Sequence, residues 1–186
     1  MDLAKILAGA ASAAVVILFL PATVPARGTQ DTNVPKMAVL HATITITGGL
    51  TFTGAYDDRL TVGTCADIAK GGTHGPDSDG DAMFYVPVPL DNTGGDGGPV
   101  GGGHTFTTDV AASPYHGPGT YTGSGLTATQ MDVDTPPGSQ DTHIFAFPTS
   151  VGTMIVNPDA SGSFKFEGLQ DPGSVTISGQ VSWTCS

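Results

Sequence analysis

Apolar and polar positions alternate along several stretches of the chain, most clearly at its end. From Val175 to Cys185 the odd positions Val175, Ile177, Gly179, Val181, Trp183 and Cys185 form an apolar stripe. The even positions Thr176, Ser178, Gln180, Ser182 and Thr184 are polar. A period of two marks a half-buried β-strand. The same alternation runs through VLHATITITGGLTFTGAYDD. There Leu40, Ala42, Ile44 and Ile46 share one face, His41, Thr43, Thr45 and Thr47 share the other, and Leu50 and Phe52 resume the stripe. Gly48-Gly49 between two alternating runs predicts a β-hairpin with a two-residue turn.

The rest of the chain extends this picture. Residues 66–81 and 134–141 are read as loops, and the Gly-rich run 91–103 as a mobile loop. Pro87 and Pro89 deprive AMFYVPVPL of amide donors and direct it toward a sheet edge. HTFTTDVAA, GTYTGS, LTATQMDVD, THIFAFP and TMIVN are read as strands. The C-terminal third predicts a meander of strands at 151–157, 162–168 and 174–185, with Phe164 and Phe166 inward and Lys165 and Glu167 outward. No helix is expected after residue 26. About nine to eleven short strands separated by Gly, Pro and Asp turns predict an all-β fold, an antiparallel β-sandwich of Ig-like or Greek-key type.

Composition agrees. The 186 residues include 27 Gly and 25 Thr, and 16 of the 17 acidic residues are Asp, which favours turns over helices. A formal charge of -11 makes nucleic acid and anionic lipid poor partners and suits a solvated surface.

Residues 1–26, MDLAKILAGAASAAVVILFLPATVPA, have the layout of a secretory signal peptide: Lys5, an uncharged run from Ile6 to Leu20, then Pro21 and small residues at 24–26. An uncleaved N-terminal anchor helix is the alternative, and only then is a membrane a partner. Residues 27–37 read as a flexible spacer and 38–186 as the β-sandwich domain. Export implies an oxidising compartment, secreted or at the cell surface, where cysteines pair. Cys65 and Cys185 are the two cysteines, so a monomer has one possible bridge. Closing a loop of about 120 residues stabilises by about 4–5 kcal/mol in the chain-entropy model.

Candidate chemistry is sparse. Asp77, Asp79 and Asp81 follow an i, i+2, i+4 spacing around Gly80, which suits calcium, and Asp91 and Asp96 could add oxygens from another loop. The spacing departs from an EF-hand because Gly80 sits one position early and no Glu closes it, and a hydrophilic turn between strands is the plainer explanation. His41 and His143 alternate with core residues and are expected to face solvent. His74, His104 and His116 lie in Gly-rich loops and could ligate a metal only by converging. The HxH pair of copper/zinc superoxide dismutases is absent. Asp57 and Asp58 read as a turn with an ion pair to Arg59. Asp132 and Asp134 would share a strand face and repel, with a second cation site as one resolution. No GxSxG element is present. Trp183 reads as core, whereas Tyr56, Tyr115 and Tyr121 could line a carbohydrate or peptide groove.

The segments TITITGGLTFTGAYDD, GPGTY and VNPDASGSFKFEGLQDPGSVTISGQVSWTC resemble small exported β-domains, many of them lipoproteins, of high-GC Gram-positive and related bacteria. The mycobacterial lipoprotein antigens end similarly. The resemblance covers residues 38–65 and 117–186 and implies an exported β-sandwich; it carries no catalytic residues. This chain has no lipobox cysteine near the leader boundary, which excludes lipid attachment there.

Together these features predict a secreted or cell-surface, non-enzymatic binding or structural module without a cofactor, its partner an extracellular protein or cell-wall ligand. Two alternatives are a small extracellular hydrolase using loop Asp and His residues and a calcium-stabilised adhesion-type domain.

Overall fold

The computed structural model describes residues 37–60, 63–75, 79–90, 97–128, 130–134, 142–148 and 152–186. The leader expected at 1–26, and all of the 27–37 spacer except Met37, lie outside the described residues.

The first hairpin consists of β1 (Val39–Gly48) and β2 (Phe52–Arg59). Its apolar stripe is buried as expected, but the turn is longer. Ile46 pairs with Phe52, so the strands close over 47–51 instead of over Gly48-Gly49 alone. Residues directly opposite in an antiparallel pair share a face. The apolar positions of both strands are even-numbered, and a two-residue turn at 48–49 would have set even against odd. Burial therefore overrides the turn signal.

Beyond the hairpin, a helix α1 (Cys65–Gly71) replaces the first half of the loop expected at 66–81. Thr64 caps it: the Asp67 amide donates to the Thr64 hydroxyl, and the Asp67 carboxylate accepts from the Thr64 amide at 2.9 Å. This reciprocal capping box satisfies two orphan donors, and buried Ile68 and Ala69 hold the helix on the core.

The remaining strands are β3 (Phe84–Tyr85), β4 (Gly98–Gly101), β5 (His104–Thr108), β6 (Ala111–Ala112), β7 (Gly119–Thr122), β8 (Leu126–Thr127), β9 (Gln130–Asp134), β10 (Thr142–Ala146), β11 (Thr153–Val156), β12 (Gly162–Gln170) and β13 (Thr176–Cys185). They form three antiparallel sheets: six strands in the order β2-β1-β13-β12-β11-β7, four as β10-β9-β5-β4, and three as β3-β6-β8. The meander β11-β12-β13 lies where the sequence placed it.

Thirteen strands among the described residues exceed the nine to eleven expected, because two predicted strands each divide between sheets. HTFTTDVAA becomes β5 and β6, and LTATQMDVD becomes β8 and β9. At the break the Thr108 hydroxyl donates to the Gln130 carbonyl and accepts from the Val110 amide, substituting for ladder bonds. The Gly-rich run is also partly strand. Gly102 and Gly103, with φ of 63° and 83°, make the tight turn joining β4 to β5, a conformation that favours glycine at both central positions. The β4 strand then buries Val100 completely. Pro87 and Pro89 follow β3, an edge strand, as their missing donors require.

Inward side chains of the six-stranded sheet (Ile44, Phe164, Val181) and of the four-stranded sheet (Phe106, Val133, Phe145) belong to one buried cluster.

Candidate functional sites

Cys65 and Cys185 are joined by a disulfide, with an S–S distance of 2.05 Å and Cα atoms 5.8 Å apart. It ties the first residue of α1 to the last residue of β13 across 120 positions. Trp183, two residues earlier on the same stripe, is core as expected. Its indole N–H donates to the Ala160 carbonyl at 2.9 Å. Two of the three tyrosines proposed for a groove are core as well. Tyr56 donates to the Pro87 carbonyl and Tyr115 to the Ala69 carbonyl, and both rings are buried. Burial pushes the pKa of both phenols well above the ordinary tyrosine value, so both stay protonated.

Asp79 and Asp81 are exposed on the approach to β3, and Asp77 and Asp91 lie outside the described residues. No three His, Cys, Asp or Glu side chains among the described residues are gathered closely enough to hold a metal ion.

The five histidines occupy separate environments. His104 stacks on Phe52 with centroids 4.3 Å apart, His74 meets the edge of Tyr85, and His116 is exposed in the loop before β7. His143 does not face open solvent as expected. Its side chain is 19% exposed, and its Nδ1 is 2.6 Å from the buried Asp171 carboxylate. Asp171 also accepts from the Val175 amide at 2.7 Å and so holds the turn before β13. Its bond to His143 keeps the Asp171 carboxyl below the usual carboxylate range.

Asp132 and Asp134 share the outward face of β9, as predicted, and their environments push them apart. Desolvation, then the charges of Asp134 and Asp109, raise Asp132. Hydrogen bonds from Thr142 and Thr105 lower Asp134. One oxygen of each, Oδ1, is buried without a hydrogen-bond partner.

Two of the concavities among the described residues are lined by titratable side chains of interest. A cleft of about 520 Å³ has Leu60, Val86 and Leu90 among its apolar lining, with Arg59, His74 and Tyr85 beside them. The carboxylates of Asp58 and Asp109 also line it, and both serve the fold by accepting from the amides of Val88 and Gln130. The second is an open trough on the outer face of the six-stranded sheet, bordered by His41 and Asp57. Asp57 and Asp58 lie inside β2, not in a turn, and Asp57 pairs with His41 instead of Arg59. The His41 Nδ1 is 2.7 Å from Asp57 Oδ1, and its Nε2 is 2.9 Å from the Ser186 hydroxyl. These three side chains bring an acid, an imidazole and a hydroxyl within hydrogen-bond distance, from β1, β2 and the residue after β13 instead of the expected loops. Ser186 was missed because its place depends on the β1–β13 register, which one strand's alternation does not reveal.

Comparisons with protein-family models, with curated proteins and with solved structures found no match to this chain.

Proposed function

We propose that the chain is an exported β-sandwich module, secreted or at the cell surface, that binds an extracellular protein or a cell-wall ligand. The Cys65–Cys185 disulfide carries this reading, because such bridges persist in oxidising compartments and are rare in the cytosol. Its long loop, spanning 120 positions, strongly constrains the unfolded chain. The shared core of the six- and four-stranded sheets supports the sandwich architecture. An acidic, Thr-rich exterior and the uncharged run at 6–20 fit export. The resemblance to exported lipoprotein-type β-domains points the same way. The 520 Å³ cleft, with its apolar floor and mixed charges, is the concavity suited to a ligand.

The test is to express the full chain in a Gram-positive host and fractionate the cells. Recovery from the medium or envelope, with a new N-terminus near residue 27 or an intact one held at the membrane, supports the reading. Retention in the cytoplasm with reduced cysteines contradicts it.

A further inference from the structure

We infer that Ser186 is an activated nucleophile that accepts acyl groups from activated esters, an activity beyond that of a binding module. Three strands build the constellation. Register sets His41 of β1 opposite Asp57 of β2. On the other side His41 faces Thr184 of β13. The ladder continues past β13 through mutual bonds between Val39 and Ser186, at 3.1 and 3.0 Å. Ser186 therefore stands two positions along from Thr184, on the same polar face, within reach of the His41 ring.

The roles follow from the atoms. The Asp57 carboxylate can only accept, so it keeps the proton of neutral His41 on Nδ1. The lone pair of Nε2 then points at the Ser186 hydroxyl, 2.9 Å away. That is the nucleophile–base–orienter order of an activated serine. Beside it, the opposed residues Ala55, Thr43 and Ser182 form a cross-strand row of small side chains, the floor of the trough of about 650 Å³. This row lies next to that of Asp57, His41 and Thr184, with Ser186 on the far side, so an acyl chain running along β1 from Ser186 enters the trough over His41.

Ser186 Oγ attacks the acyl carbon as its proton passes to Nε2, and the imidazolium is held by Asp57. Collapse breaks the bond from carbon to the leaving oxygen or sulfur, which departs with the electron pair and takes the proton from Nε2. Water, deprotonated by the same nitrogen, then releases the acid and restores the serine.

Substrate class is set by what the ladder consumes. The Ser186 amide donates to the Val39 carbonyl and the Val39 amide to the Ser186 carbonyl, so neither is available to a developing oxyanion. One missing oxyanion donor costs about 10²–10³ in rate. Aryl esters and thioesters, whose leaving groups depart readily, are therefore the substrates, and amides are not.

The experiment uses the full chain and p-nitrophenyl acetate, with p-nitrophenolate release followed and the acetyl group located by peptide mass spectrometry. The expected adduct is on Ser186. Ser186→Ala removes it, and His41→Gln lowers turnover by about 10²-fold. Asp57, a positioning residue, is tested by Asp57→Asn, which lowers kcat by about tenfold or more with KM unchanged. All three side chains are exposed, so the variants should keep the parent melting temperature. A fluorophosphonate probe on the unaltered protein gives an independent reading and should label Ser186. Acetylation of His41 or a lysine in place of Ser186, an unchanged rate in Ser186→Ala, or no probe label at Ser186 would overturn the inference.

Discussion

Gly54 of β2 lies against Val100 of β4 so closely that a Cβ on Gly54 would overlap the Val100 carbonyl oxygen. Here the edge of the six-stranded sheet meets the edge of the four-stranded one, and backbone, not side chain, is what approaches. Gly54→Ala must therefore part the two sheets or bend β4. It should cost about 3 kcal/mol or more, above ordinary overpacking because the opposing atom is main chain. Urea unfolding would show this as a lower midpoint, and an unchanged midpoint would mean that the contact yields freely.

Asp132 and Asp134 predict opposite responses to the same chemical change. A carboxyl raised in the folded state favours its protonated form, so Asp132 weakens the fold as pH rises through its folded value. A lowered carboxyl such as Asp134 adds stability above its unfolded value, lost as pH falls through the folded one. At neutral pH Asp132→Asn should stabilise slightly, by about 0.5 kcal/mol, and Asp134→Asn should destabilise by a comparable amount. Thermal melts of the two variants at pH 7 provide the check; shifts of the same sign would contradict the assignment.

Trp183 joins β13 to the turn between β11 and β12. Its indole donates to the carbonyl of Ala160, and its ring covers Gly162, where any side chain would collide with it. Trp183→Phe keeps an aromatic ring but leaves the Ala160 carbonyl buried without that donor. The cost should be about 2 kcal/mol, read from denaturant midpoints. A loss below about 0.5 kcal/mol would show that another donor replaces the indole.

Asp171 fixes the other end of β13. Its lowered carboxyl, owed first to His143, contributes stability above the unfolded carboxylate value, about 3.9, that is lost as pH falls through its lower folded value. Asp171→Asn should lower the melting temperature at pH 7, and the difference from the parent should shrink toward strongly acid pH. A difference that stays constant between pH 7 and pH 2 would contradict the pairing.

Much of this was legible in the alternation of residues. The buried faces of β1, β2, β12 and β13 could be read because each strand wets one side only, and the disulfide because only two cysteines exist. Even the longer hairpin turn was present in the parity of the apolar positions, although Gly48-Gly49 is the louder local signal. The capping box Thr64-x-x-Asp67 announced α1, but seven residues carry too little periodicity to stand out from an Asp-rich loop. The Gly-rich run concealed β4 because its single buried anchor, Val100, sits among glycines that look like loop. Non-local placement was not legible. His41 and Asp57 meet within the first hairpin, but neither the reach of His41 to Ser186 nor that of His143 to Asp171 follows from any local pattern, because each rests on the register or packing of distant strands.

The bridge between Cys65 and Cys185 holds the account together, since it underlies both the export reading and the anchoring of β13. In the chain-entropy model its loss removes about 4–5 kcal/mol. Cys65→Ser with Cys185→Ser should accordingly be marginally stable or unfolded at 37 °C. The most direct measurement is on the unaltered protein: alkylate under denaturing, non-reducing conditions, digest, and identify the cysteine peptides by mass. One linked peptide pair containing Cys65 and Cys185, with no alkylated thiol, is the expected result. Two separately alkylated cysteine peptides would contradict it.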